Sequence, residues 1–277
     1  MLIWVNGELA PAAEAKVNVL DHGLTVGDGV FETMKVVDGV PFALQRHLDR
    51  LGRSAAGLGL PVPDYEMVRK AVGEVLADLG APPLARMRIT YTGGVAPLGS
   101  GRGDAAPTLI VACTPVDPYP PTTTVATVPW RRNERAATKG LKSTSYAENV
   151  IALAHARERG ASEAVFANTR DLLCEGTGSN IFVVVDGRLL TPPLESGCLA
   201  GITRGLVLEW TGAEEAELDF DVLDHAEEIF LTSSVRDVQA VHAVVHDGRR
   251  RELTAPGTVT AEAAAAFARR SAQTFEP

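Results

Sequence analysis

Phe31-Glu32-Thr33-Met34-Lys35-Val36-Val37-Asp38-Gly39-Val40-Pro41-Phe42-Ala43-Leu44 is the stretch on which the reading of the fold turns. Apolar spacing from Phe31 to Val37 and from Val40 to Leu44 predicts two strands. Asp38-Gly39 between them suits a tight hairpin turn, whose central residues take positive φ. Leu44, Leu48, Leu51, Ala55 and Leu58 then recur at three- and four-residue steps, which predicts an amphipathic helix, and Tyr65 to Leu79 repeats the pattern. Upstream, Leu2-Ile3-Trp4-Val5 adds a further strand. A small antiparallel sheet followed by two helices is therefore expected at the N-terminal end.

Working outward, strands are expected at Arg86 to Thr92 and Thr108 to Cys113, separated by the Gly-rich loop Gly93 to Asp104. Pro115-Val116-Asp117-Pro118-Tyr119-Pro120-Pro121 cannot hold regular ladders, because proline lacks an amide donor and restricts its predecessor. An interdomain linker is placed at 118–122, between a small domain at 1–117 and a larger one at 123–277. In the latter, strands are read at Thr124 to Val128, Glu163 to Ala167, Asn180 to Val185, Arg188 to Thr191, Glu214 to Phe220, Ile229 to Ser233 and Val238 to Val245. Helices are read at Tyr146 to Arg159, closed by Gly160, at Ile202 to Gly212 and at Thr260 to Phe275. Asp186-Gly187 and Asp247-Gly248 repeat the hairpin signal, and strict βαβ alternation is missing, so the expected class is α+β with two domains.

The 277 residues, 45% hydrophobic and 22% charged, describe an ordinary globular chain rather than a disordered or fibrous one. A formal charge of −9 opposes a general grip on nucleic acid or anionic lipid. No apolar run has bilayer-spanning length, and Met1-Leu2-Ile3-Trp4-Val5 lacks a basic leader, so a cytoplasmic location is expected. Cys113, Cys174 and Cys198 read as reduced, buried small hydrophobes. The six histidines form no H-E-x-x-H pair, and no metal site is expected.

Glu175-Gly176-Thr177-Gly178-Ser179-Asn180-Ile181 begins like a dinucleotide loop, but Ile181 replaces the third glycine and a strand, not a helix, follows. Gly99 to Asp104 lacks the ending of a P-loop, and no G-x-S-x-G elbow occurs. Gly201-Ile202-Thr203-Arg204 opens a helix after a turn-rich stretch. By itself it is a capped helix start, yet its bare amides, a hydroxyl and the positive dipole end would suit an anion. Arg50, in His47-Leu48-Asp49-Arg50-Leu51, reads on its own as a solvated arginine on the polar side of a helix. Lys142, in Gly140-Leu141-Lys142-Ser143-Thr144-Ser145-Tyr146, is either a surface charge or an imine-forming nucleophile.

In order and spacing, these segments resemble the class IV aminotransferase family, the fold-type IV enzymes that use pyridoxal 5′-phosphate. The resemblance runs from Leu20-Asp21-His22-Gly23-Leu24-Thr25 through Phe31-Glu32-Thr33, His47 to Leu51, Lys142, Leu173 to Phe182 and Leu190-Thr191-Pro192-Pro193 to Gly201-Ile202-Thr203-Arg204. It implies a two-domain α+β fold, with a small N-terminal α/β domain and a larger C-terminal domain built on a mixed barrel-like sheet. The cofactor is expected between the domains, in a homodimer whose second subunit completes the pocket.

By the same resemblance Lys142 is the Schiff-base lysine that then carries the proton, Glu175 pairs with the pyridine nitrogen, and Arg50 grips the phosphate. Ile202 and Thr203 would complete the phosphate site, Tyr146 would bond the ring oxygen, and Ser233 and Ser234 would form the nearby turn. Phe31 stands where the D-amino acid group places a carboxylate-binding tyrosine, and Arg102 with Arg88 is expected to orient the substrate carboxylate. The implied activity is transamination between a D-amino acid or branched-chain amino acid and a 2-oxo acid. The alternatives are a 4-amino-4-deoxychorismate lyase, releasing pyruvate and 4-aminobenzoate, and a catalytically silent relative that only binds the cofactor.

Overall fold

The computed structural model describes residues 1–277. They fall into two units, one of residues 1–118, 141–146 and 276, the other of 119–140, 147–275 and 277. The first carries β1 (Leu2–Val5), β2 (Glu8–Pro11), α1 (His22–Thr25), β3 (Gly29–Val37), β4 (Val40–Pro41), α2 (Leu44–Gly57), α3 (Tyr65–Leu79), β5 (Ala85–Thr92) and β6 (Thr108–Pro115). Its six strands run in the order β2-β1-β6-β5-β3-β4.

Asp38 and Gly39 take φ of 48° and 80°, and Asn6 and Gly7 take 46° and 101°, so both tight hairpins of this sheet turn through left-handed pairs. The strand expected at Val40 to Leu44 is cut to Val40–Pro41, because Ala43, at φ 57°, redirects the chain into α2. The period of two along β3 sorts its side chains. Val30, Met34 and Val36 join Met87, Ile89 and Tyr91 of β5 in a core closed by Leu48, Leu51 and Ala55 of α2 and Val68 and Val72 of α3. Glu32 shares that inward register. On the opposite face Phe31 stands across from Thr90, and Thr33 from Arg88.

The second unit carries β7 (Thr122–Arg132), α4 (Ala147–Arg157), β8 (Glu163–Asn168), β9 (Leu173–Gly176), β10 (Asn180–Val185), β11 (Arg188–Thr191), α5 (Ile202–Trp210), β12 (Glu214–Glu215), β13 (Glu228–Ser233), β14 (Asp237–His246), β15 (Arg249–Glu252) and α6 (Thr258–Ser271). Its nine strands form one sheet in the order β12-β11-β10-β13-β14-β7-β8-β9, with β15 on β14. The sheet is mixed: β7 lies parallel to both β8 and β14, whereas β10 pairs antiparallel with β11 and β13. Asp186-Gly187 and Asp247-Gly248 again close hairpins through positive φ.

The strand expected at Glu214 to Phe220 is a correction. Only Glu214 and Glu215 ladder onto Leu190 and Thr191, and Phe220–Asp224 winds into a 3-10 turn that buries Val222 and Leu223. Leu218 is buried without belonging to a strand, and that burial is the source of the misleading alternation. All three cysteines are reduced and buried. No helix is long and apolar enough to cross a membrane.

Candidate active site

Residues 141–146 complete the first unit's sheet. β4 covers only the Val36–Val37 end of β3, which leaves the Gly29–Phe31 end open. The incoming segment covers that open edge. Phe31 N–H donates to Lys142 C=O at 2.9 Å, Thr144 N–H donates to Gly29 C=O at 2.8 Å, and Ser143 bridges to Val30. Lys142 N–H donates to Ser54 Oγ of α2 at 3.2 Å. The hydroxyls of Thr144 and Ser145 both donate to Gly27 C=O, at 2.9 and 3.1 Å. A Cβ at Gly57 would come within 2.5 Å of Leu141 Cδ2, so the bare glycine lets this segment seat on α2.

Lys142 is thus fastened by its backbone on both sides. Its half-buried side chain sets Nζ 4.2 Å from the centroid of the Phe31 ring and 6.0 Å from that of Tyr146. Phe31 and Tyr146 meet edge to face, with centroids 5.2 Å apart. The Arg88 guanidinium lies 3.8 Å from the Phe31 centroid. Two cations against one aromatic ring draw on its quadrupole, and they make this side of β3 and β5 suited to an anionic substrate.

Arg50 lies on the core side of the same sheet. It is 4% exposed, and its Nε and Nη2 donate to Glu32 Oε1 and Oε2 at 2.8 and 2.6 Å. His47 Nδ1 is 2.7 Å from the same Oε2. Burial pushes the Glu32 pKa up, but the Arg50 charge and its hydrogen bonds overcome that and hold it down at about 2. Burial lowers the His47 pKa against the pull of Glu32.

Arg102, in the Gly-rich loop, donates through Nε and Nη2 to the Asp28 carboxylate at 2.7 and 2.6 Å, and to the carbonyls of Gly59 and Leu58 just beyond α2. The hydrogen bonds from Arg102 lower the Asp28 pKa. Of the two arginines expected to meet a substrate carboxylate, Arg88 therefore faces Phe31, while Arg102 is clamped to Asp28.

In the second unit, Glu175 is the third residue of β9 and pairs with Phe166 of β8. Its Oε2 accepts from Leu199 N–H at 2.8 Å, and its Oε1 lies 3.3 Å from Arg132 Nε. Arg132 is itself oriented by Glu148 and Asn149, at 2.7 and 2.9 Å, and its guanidinium lies 4.2 Å from the Phe166 centroid. The Leu199 carbonyl accepts from Asn180 Nδ2 at 2.8 Å, which ties Glu175 to the turn before α5. Gly201, the N-cap, carries no capping side chain, and the first helical amides, Ile202 and Thr203, are left without acceptors. A Cβ at Gly201 would collide with Asn180 Oδ1.

Asn180 pairs across the ladder with Thr232, so Ser233 and Ser234 follow at the same end of the β10–β13 pair as the start of α5. Thr232 Oγ1 is buried there with no partner. An orphaned hydroxyl, open amides and a glycine that admits no Cβ together fit a phosphate group.

Lys142, Tyr146, Phe31 and Arg88 are brought together in one unit, and Glu175, Ile202, Thr203, Ser233 and Ser234 in the other. Sequence reasoning missed the partners. Glu32 had a signal: it is a carboxylate at an inward position of an apolar strand, and it requires a buried cation. The pairing of Arg132 with Glu175 and of Asp28 with Arg102 had none, since each joins residues far apart in the chain.

The chain belongs to the class IV aminotransferases, whose family profile matches residues 29–244. A Methanocaldococcus jannaschii protein assigned to the branched-chain-amino-acid aminotransferases is 35% identical over 260 residues, covering 90% of this chain and 89% of that one. The bifunctional aminodeoxychorismate lyase / D-amino acid transaminase of Mycobacterium tuberculosis is 30% identical, over 95% of this chain and 96% of its own. The crystal structure of a branched-chain aminotransferase from Thermoproteus uzoniensis superposes with a TM-score of 0.89 at 31% identity, covering 98% of this chain and 94% of that one. The fold is that of the fold-type IV aminotransferases, and the protein is an enzyme of that family.

Proposed function

We propose that the protein is a pyridoxal 5′-phosphate-dependent aminotransferase that moves an amino group between an amino acid, of the D-amino acid or branched-chain type, and a 2-oxo acid. The carrying observation is Lys142: its backbone is bonded to β3 and α2 while its amine lies against Phe31 beside Arg88. Solved relatives bound to pyridoxal or pyridoxamine phosphate support the choice of cofactor. When bound, that group supplies an electron sink for charge developing at a substrate α-carbon.

Lys142 attaches the cofactor and moves the proton at the α-carbon as general base and acid. Glu175 is assigned to the pyridine nitrogen and Tyr146 to the ring oxygen. Arg50, Ile202, Thr203 and the Ser233-Ser234 turn are assigned to the phosphate. Arg88 receives the substrate carboxylate beside Phe31. Arg102 shares that task on exchange from Asp28. Borohydride reduction of the yellow holoenzyme followed by peptide mapping should label Lys142, and a label on any other residue overturns the assignment.

A second reading, 4-amino-4-deoxychorismate lyase, rests on the bifunctional relative. Parallel assays with D-alanine or L-leucine plus 2-oxoglutarate, and with aminodeoxychorismate, decide between them. A homodimer is part of the proposal. Ala96 N–H donates to Leu20 C=O and draws two loops of the first unit together. Val19, Leu24 and Leu98 on and beside those loops are 74%, 68% and 80% exposed. Such apolar surface suits a second copy of the chain. Light scattering tests it. Three buried thiols accord with a cytoplasmic location.

A further inference from the structure

The second unit holds a cavity of about 730 Å³ whose lining includes Arg157, Arg236, Arg250 and His242 together with the hydroxyl residues Thr122, Thr124 and Ser162, and includes no carboxylate. That is unusual on a chain with a net charge of −9. The fold builds it around a local irregularity. The β7–β14 ladder slips between Val241 and Ala243, and the bulge sets His242 out of the pairing. The histidine is then pinned by both ring nitrogens, with Nδ1 2.9 Å from Thr122 Oγ1 and Nε2 3.1 Å from Thr124 Oγ1.

The arginines differ in how far they are committed. Arg236 is held by Glu163 Oε2 at 2.7 Å and by Gln239, with its guanidinium 4.7 Å from the Tyr119 centroid, and forms a fixed wall. Arg250 is paired only with Glu252, an exposed carboxylate on its own strand, and such surface pairs exchange readily. Arg157, at the end of α4, has no side-chain partner at all. Two available guanidiniums near a pinned imidazole, in a space large enough for a metabolite, ask for more than one negative charge.

We propose that this cavity binds a small organic anion carrying two or more negative charges, a phosphate ester or a polycarboxylate. None of its lining residues is assigned to the aminotransferase chemistry.

The test is calorimetric titration of holoenzyme, saturated with pyridoxal 5′-phosphate so that its phosphate site is filled, with pyrophosphate in one arm and citrate in the other. Saturable binding of one ion per chain is expected in at least one arm, and the stronger arm identifies the chemistry. Arg157→Glu and Arg250→Glu should each raise Kd about tenfold or more, the scale of one lost charge-assisted bond. His242→Gln should weaken binding less, and the visible spectrum of the cofactor and the transaminase activity should stay unchanged. No saturation in either arm overturns the proposal. So does binding that all three variants leave intact, which would place the anion elsewhere.

Discussion

Glu32 accepts hydrogen bonds from both Nε and Nη2 of Arg50 while His47 Nδ1 approaches the same carboxylate, which makes a buried trio of ionisable groups between β3 and α2. Breaking such a pair leaves a buried charge uncompensated, so Glu32→Gln should cost about 3 kcal/mol, read from urea unfolding. The pH dependence follows from the signs. Glu32 is depressed to about 2, so its contribution is present above the unfolded carboxylate value near 4.5 and is lost as pH falls toward 2. His47, also depressed, adds a loss of stability once the unfolded chain protonates below about 6.5. Wild-type urea midpoints should therefore fall on acidification, and Glu32→Gln should flatten the part below about pH 4.5.

Ser54 of α2 accepts a hydrogen bond from the Lys142 backbone amide. Ser54→Ala should cost about 1 kcal/mol of stability. Because the lysine's placement loosens while the substrate-facing groups stay, kcat should fall more than KM rises in steady-state assays.

Arg88 and Arg102 should separate kinetically. Arg88→Ala removes the guanidinium at Phe31 and leaves Lys142 there, and KM for the carboxylate substrate should rise about tenfold, the scale of one charged hydrogen bond. Arg102→Ala should raise KM less, because Arg102 only shares the carboxylate with Arg88, and should in addition lower the melting temperature through loss of the Asp28 clamp. A double-mutant cycle with Asp28→Ala should show strong non-additivity, since each is the other's partner.

Gly201→Ala tests the start of α5. The added methyl group meets Asn180 Oδ1 and must push the first turn away from the Thr232 hydroxyl. Affinity for pyridoxal 5′-phosphate, followed by absorbance titration of the apoenzyme, should drop, while far-UV circular dichroism stays close to wild type.

Hairpins were the most legible part of the fold, because Asp-Gly pairs report a backbone conformation that few other residues accept. Helices α2 and α3 were equally plain from their apolar spacing. The stretch Glu214 to Phe220 misled because burial of Leu218 comes from loop packing, which mimics strand alternation. Reading Arg50 alone put it on a solvated face, and only the register of β3 shows that a carboxylate waits for it inside. Arg102 and Asp28 sit 74 positions apart, and no local pattern announces such a pair.

The discontinuity of the first unit reaches into how the protein can be made. Its sheet stays open at Gly29–Phe31 until residues 142–144 arrive, so on the ribosome the β3 edge is exposed long after the rest of the sheet has emerged. Cutting the gene at the proline-rich stretch would not yield two self-sufficient halves. A fragment ending at residue 118 keeps the helices and strands yet lacks the segment 141–146 that closes its edge, and with it the lysine. Such a fragment should regain full order only when a peptide spanning 141–146 is supplied.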